Sequence, residues 1–214
     1  SADGRAESGT LMERIVAEQT IPYDGDLYQA GLEQFRHNLS HILDRARQAG
    51  VRVVVGTLAS NLRDQHPFIS LNDGTAAASS SSPEAGGAEG AFAQAHEQLQ
   101  AGDAAAALAQ FHRARDLDAP RFRAPGAINE IIQELADQYG AEVAQVEQEL
   151  AAASPDGIIG RELMLEHLHP NSEGYFLMGK AFAQALESAG FFGEASAPDA
   201  RRDWASYRTG MRLT

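Results

Sequence analysis

The chain has 214 residues, a hydrophobic fraction of 43% and a formal charge of −13, with a pI near 4.9. That acidity works against binding a polyanion such as nucleic acid, because the only basic clusters, Arg121 with Arg123 and Arg201 with Arg202, are too small to form a basic stripe. Cysteine is absent, which excludes a disulfide framework and thiolate metal ligation but leaves the compartment open, and no apolar run is long enough to span a bilayer. The length suits one domain with an insertion, or two small ones, able to bury on the order of 70% of the unfolded surface.

The opening Ser1-Ala2-Asp3-Gly4-Arg5 lacks the apolar core of a signal peptide, so localisation is unassigned and any anchor or export signal is expected upstream. Thr10 caps a predicted short helix to about Gln19, with Leu11 and Ile15 inward and Pro22 ending the segment. Leu32, Phe35, Leu39, Ile42, Leu43 and Ala46 recur at helical spacing and predict a helix from about Asp26 to Ala49, stopped by Gly50. The next five residues, Val51-Arg52-Val53-Val54-Val55, contain four valines between a glycine stop and a glycine turn, which predicts a central parallel strand over 51–57 buried on both faces. In an open parallel sheet, ligands gather beyond the carboxyl ends of the strands. The loop Ser60-Asn61-Leu62-Arg63-Asp64 is therefore expected to face a site, with Asn61 and Arg63 as candidate substrate-binding residues. The plainer alternative is that Asn61 and Asp64 close turns and Arg63 pairs with an acid.

Residues 1–72 thus read as a first α/β segment. Composition then shifts to Ala, Ser, Gly and Pro, including Ser79-Ser80-Ser81-Ser82-Pro83, and predicts a flexible linker over 73–90. Two helices follow within 91–120, joined at Gly102-Asp103. Gly102, Ala107, Phe111 and Ala114 sit at offsets that resemble the second half of a tetratricopeptide repeat. A single repeat cannot bury a continuous core by itself, so a helical hairpin packed on the α/β part is expected. In Arg121-Phe122-Arg123-Ala124-Pro125, two arginines spaced by two point the same way if the stretch is extended, which makes Arg123 a candidate for gripping a substrate carboxylate or phosphate. The alternative is that these arginines neutralise acids such as Asp116, Asp118 and Glu130.

A second helix, carrying Ile128, Ile131, Ile132 and Leu135, ends at Tyr139-Gly140, and Ala141 to Val146 is predicted to be a second, more polar strand. Glu147 to Ala153 is predicted to be a short helix and Ser154-Pro155-Asp156-Gly157 a turn. Residues 121–192 form the second α/β segment, and 193–214 a tail in which Trp204 and Tyr207 are expected to clamp onto the body.

Chemistry concentrates in Leu165-Glu166-His167-Leu168-His169-Pro170-Asn171, just before a helix that Asn171 caps. An acid three residues before a histidine can hold one imidazole nitrogen and leave the other free as a base. His169 is the candidate catalytic base and Glu166 its orienter. His167 is the rival; Glu166, His167 and His169 could share a metal ion, but no matching cluster stands elsewhere in the sequence and no metal is expected.

The segment from Leu163 to Leu177 resembles the last motif block of the SGNH/GDSL hydrolases, in which an Asp-x-x-His motif supplies two members of a serine triad; here the acid is Glu166. Gly56 to Asp64 with Pro67-Phe68, and Arg121 to Pro125, resemble segments of a subgroup with a tetratricopeptide-like insert. The family's N-terminal Gly-Asp-Ser nucleophile block has no counterpart here. The resemblance implies a partial flavodoxin-like, three-layer α/β fold whose N-terminal strands are absent from this chain. It further implies the C-terminal portion of a serine ester hydrolase or acyl transferase with no cofactor. Its partners would be an ester substrate and either the missing N-terminal part or a second copy, and this chain alone is expected to be inactive. The other reading is a non-catalytic interaction module.

Overall fold

Two glycines in the left-handed region set the architecture, each ending a helix and releasing the chain into a strand. A computed structural model describes residues 20–71, 86–192 and 203–211. Helix α1, Asp26–Gln48, ends before Gly50 at φ 67°, and β1, Val54–Gly56, follows. Helices α2, Ala88–Gln100, and α3, Ala104–Leu117, come next. Helix α4, Gly126–Tyr139, ends at Gly140, φ 68°, before β2, Glu142–Ala144. Only glycine adopts this backbone without steric cost, so both helix stops were legible locally. The chain closes with α5, Val146–Ala153, α6, Ser172–Ser188, and α7, Trp204–Met211.

The protein is mixed α/β and mostly helical. Strands β1 and β2 form a two-stranded parallel sheet, with Val54 opposite Glu142, Val55 opposite Val143 and Gly56 opposite Ala144. Both strands are shorter than the sequence suggests. The valine run is not buried on both faces throughout: Val51 is 58% exposed, and β1 itself is half-buried. Pairing starts only where the Glu142 N–H donates to the Val53 carbonyl, so Val51 and Arg52 run past the end of their partner. Val146 opens helix α5 rather than ending β2.

Helices cover both faces of this small sheet. Leu43 of α1 and Ile131 and Leu135 of α4 pack with Val53 and Val55 on one side. On the other, Val54 meets a core that includes Ala144, Val146, Leu150, Leu177 and Ala181 from β2, α5 and α6. The valines thus divide between two cores by the two-residue alternation of a strand. Ile42 is the exception to the helical pattern in α1, at 62% exposed.

Helices α2 and α3 pack against each other across a turn at Gly102, φ 84°, where Asp103 Oδ1 accepts from the Ala106 N–H. Ala107, Phe111 and Ala114 are buried in a core that also contains Leu62 of the loop after β1 and Ile158. The hairpin therefore supports the loop predicted to face a site. Helix α2 starts at Ala88, before the predicted end of the linker. The helix expected between Thr10 and Gln19, and most of the linker, lie outside the described residues. Trp204 and Tyr207 do contact the body, at 5.8 and 4.9 Å from the Phe176 ring. Among the described residues no helix is long and apolar enough to cross a membrane.

Candidate functional site

The histidine motif is a short loop closed at its base. Met164 and Pro170 form an isolated antiparallel bridge, the Leu165 N–H donates to the His169 carbonyl at 2.8 Å, and the Asn171 N–H donates to the Leu163 carbonyl at 2.9 Å. Asn171 then caps α6, its Oδ1 accepting from the N–H groups of Glu173 and Gly174 at 3.0 Å each. The cap proposed from sequence is thus also the anchor of the loop, since Asn171 Nδ2 donates to the Glu162 carbonyl at 2.7 Å.

At the tip, one carboxylate holds two imidazoles. Glu166 Oε1 accepts from the His169 N–H at 2.8 Å and contacts His169 Nδ1; Oε2 accepts from the His167 N–H at 2.8 Å and contacts His167 Nδ1. Burial works to raise the Glu166 carboxyl, but the hydrogen bonds from His169 and the neighbouring His167 outweigh it and hold the group below its usual range. Glu166 is therefore ionised at neutral pH. Burial pushes His167 below its ordinary value despite the adjacent carboxylate, so this ring is neutral there. His169 projects outward, its side chain 62% exposed against 25% for His167. Neither Nε2 has a hydrogen-bond partner among the described residues, so His169 presents a held ring with a free nitrogen.

The loop beyond β1 runs alongside. The Asn61 N–H donates to the His167 carbonyl at 3.0 Å, and the N–H groups of Leu62 and Arg63 both donate to the Ile159 carbonyl. Asn61 is 4% exposed; its Oδ1 accepts from the Asp64 N–H at 3.0 Å, while its amide NH2 has no partner among the described residues. Asn61 thus closes the turn on Asp64, the plainer of its two expected roles, from a buried position.

The two candidate arginines are engaged internally. Arg63 pairs with Glu162 and, at 3.2 Å, with Asp64, which also accepts from Arg161. This cluster crosses Gly160, where a Cβ would clash with the Arg63 guanidinium and Asp64. Arg123, with a side chain 1% exposed, donates to the Asn61 carbonyl at 2.9 Å and to Asp118 Oδ2 at 3.0 Å. It braces the Asn61 loop from beneath. Arg121 does not share its direction, because φ 56° at Arg121 breaks the extended run; its guanidinium turns to the carbonyls of Ile21 and Asp116. All five candidates thus lie in one connected region, with Arg63 and Arg123 neutralised by acids.

Sequence reasoning placed no role on Asp118 beyond neutralising arginine, nor on Glu162, Phe122 or Gly174. A Cβ at Gly174 would clash with the Leu163 carbonyl oxygen and lie 2.8 Å from Pro170 Cβ, so α6 meets the histidine loop only through a bare backbone. Gly179 in the same helix has open space around it. Gly174→Ala is expected to destabilise by about 1–3 kcal/mol through overpacking, whereas Gly179→Ala should stabilise by about 0.5–1 kcal/mol through helix propensity. Urea denaturation of the two variants checks this opposite sign.

Among the described residues no group of three or more histidines and carboxylates is arranged to hold a metal ion. A cavity of about 250 Å3, bordered by Leu43, Arg47, Val51, Tyr139 and Gly140, lies at the amino ends of the strands, remote from the histidines. No model of a known protein family matches the sequence, and comparisons with characterised proteins and with solved structures find no match either.

Proposed function

We propose that this chain is the base-bearing, C-terminal portion of a serine ester hydrolase or acyl transferase of the SGNH/GDSL type. The observation that carries the proposal is the grip of Glu166 on His169 Nδ1, with the rest of the ring mostly exposed, on a loop whose His167 carbonyl accepts from the Asn61 N–H of the loop that leaves β1. In this scheme the nucleophilic serine lies outside these 214 residues, as do the further strands of a flavodoxin-like sheet; a two-stranded sheet is small for an independent domain.

The proton bookkeeping follows from the tautomer. With Nδ1–H donated to Glu166, Nε2 of His169 carries the lone pair and takes the proton of the serine hydroxyl as its oxygen bonds to the ester carbonyl carbon. His169 then returns that proton to the departing alkoxide as the carbon–oxygen bond breaks, leaving an acyl-enzyme. Water or a second alcohol repeats the cycle. In this scheme the unpartnered amide of Asn61, in the loop whose main chain bonds to the His167 carbonyl, is the candidate donor to an oxyanion. Arg63 and Arg123 position this loop.

The test is hydrolysis of a short-chain nitrophenyl ester by the intact protein and by the present chain. Turnover is expected only from the intact protein and only with His169 in place. An intact protein that leaves such esters uncleaved would favour the non-catalytic interaction module.

A further inference from the structure

Next to the Glu166 loop stands an aromatic shelf that the proton transfers do not use. Phe68 and Phe122 meet edge to face with ring centroids 5.3 Å apart, Phe68 meets His167 in the same way at 5.2 Å, and Phe122 lies 6.0 Å from His167. Phe68 is 43% exposed, yet its main chain is fixed: the N–H groups of Phe68 and Ile69 donate to Asp118 Oδ1 at 2.9 and 3.0 Å. The other oxygen of Asp118 holds the buried Arg123. A large apolar ring is thus presented to solvent from a backbone pinned by a buried ion pair. His167 links it to the base, its ring 6.5 Å from that of His169 across the shared carboxylate.

Charge narrows what the shelf can take. Arg63 faces Asp64 and Glu162, Arg161 faces Asp64, Arg123 faces Asp118, and Arg121 donates to the carbonyls of Ile21 and Asp116, so each of these four arginines already has a partner within the chain. With a formal charge of −13 on the chain, an anionic substrate group finds repulsion here and no spare arginine in these loops. Aromatic faces gain most from uncharged apolar groups.

Resting on the ester-hydrolase reading, we infer that Phe68 and Phe122 bind the acyl portion of the substrate, and that this acyl group is a short, uncharged aliphatic chain. The acyl carbon then sits toward His169 while the methylenes lie across the two rings.

The 214-residue chain allows binding to be read without turnover. Its His167 and His169 imidazole signals are followed by NMR during titration with ethyl acetate, ethyl butyrate, ethyl hexanoate and sodium hexanoate. Affinity is expected to rise about three- to fourfold per added methylene among the neutral esters, with sodium hexanoate binding more weakly than ethyl hexanoate. Phe68→Ala should weaken ethyl hexanoate by about tenfold or more and ethyl acetate by much less, while Phe68→Leu should retain much of the gain. Matching circular dichroism spectra establish that the half-exposed substitution preserves the fold. Affinities blind to chain length, equal binding of the anion, or shifts confined to the Tyr139 cavity would overturn the inference. Chain-length-dependent binding by a protein that never cleaves esters would retain the shelf and remove the esterase, whereas cleavage blind to acyl length and to Phe68→Ala would do the reverse.

Discussion

Under the ester-hydrolase proposal, His169→Ala in the protein that carries the serine is expected to lower kcat/KM for a short-chain ester by at least about 10^4-fold, the scale on which removing a triad base acts. Among the described residues, the variant removes the only ring that is both gripped by Glu166 and mostly exposed. It deletes no core packing, so urea denaturation should show nearly unchanged stability alongside the lost turnover. Glu166→Gln offers a sharper version. A glutamine amide can donate to His169 Nδ1, which drives the ring proton to Nε2 and presents a donor where a base is needed. A loss of about 10^2- to 10^4-fold is expected from the wrong tautomer and the missing negative charge. Turnover that survives His169→Ala but disappears in His167→Ala would transfer the base to the neighbouring ring.

Asp118→Ala is expected to cost about 3–5 kcal/mol of folding stability, because it leaves a buried guanidinium without its carboxylate. The Arg123 and Asp118 side chains are 1% and 4% exposed. Burial pulls the Arg123 pKa down and the Asp118 charge opposes that pull, while Arg123 Nε already lacks a partner. The substitution also orphans the N–H groups of Phe68 and Ile69. The double variant Asp118→Leu with Arg123→Met should recover part of the loss, since no charge then remains buried. It should still fall short of the parent by about 1–3 kcal/mol for the unsatisfied main-chain donors. Chemical denaturation of the three proteins separates these contributions, and a single-variant loss below about 1 kcal/mol would mean that water reaches the guanidinium. Because Arg123 also holds the Asn61 carbonyl, the same substitution should loosen that loop, and under the ester-hydrolase proposal it should lower turnover as well.

The Asp118 hub explains why the sequence undervalued this region. Asp118 joins Phe68 from fifty residues upstream to Arg123 from five residues downstream, and Arg123 reaches back to Asn61. No spacing rule connects such positions. Arginines two apart in a nominally extended run suggested a shared outward direction, and one left-handed residue, Arg121, sent the two side chains to different places. The strand lengths were misjudged for a related reason. Four valines in five residues describe what a strand can bury, but how many of them pair depends on where β2 begins, and β2 is three residues long.

What the sequence alone determined is local. Gly50 and Gly140 end helices because the left-handed backbone they adopt disfavours any side chain; Asn171 caps α6 because its oxygen reaches N–H groups two and three residues on; and Glu166 reaches His169 because three residues of turn bring them together. Only the tertiary structure decided that Glu166 also holds His167, that Arg123 is buried and neutralised, that Leu62 enters the hairpin core, and that Phe68 stands exposed on a pinned backbone. The physical reason is reach. Caps, turns and helix stops are governed by dihedral angles and hydrogen bonds within a few residues, whereas burial and charge pairing depend on groups that distant parts of the chain bring to the same place.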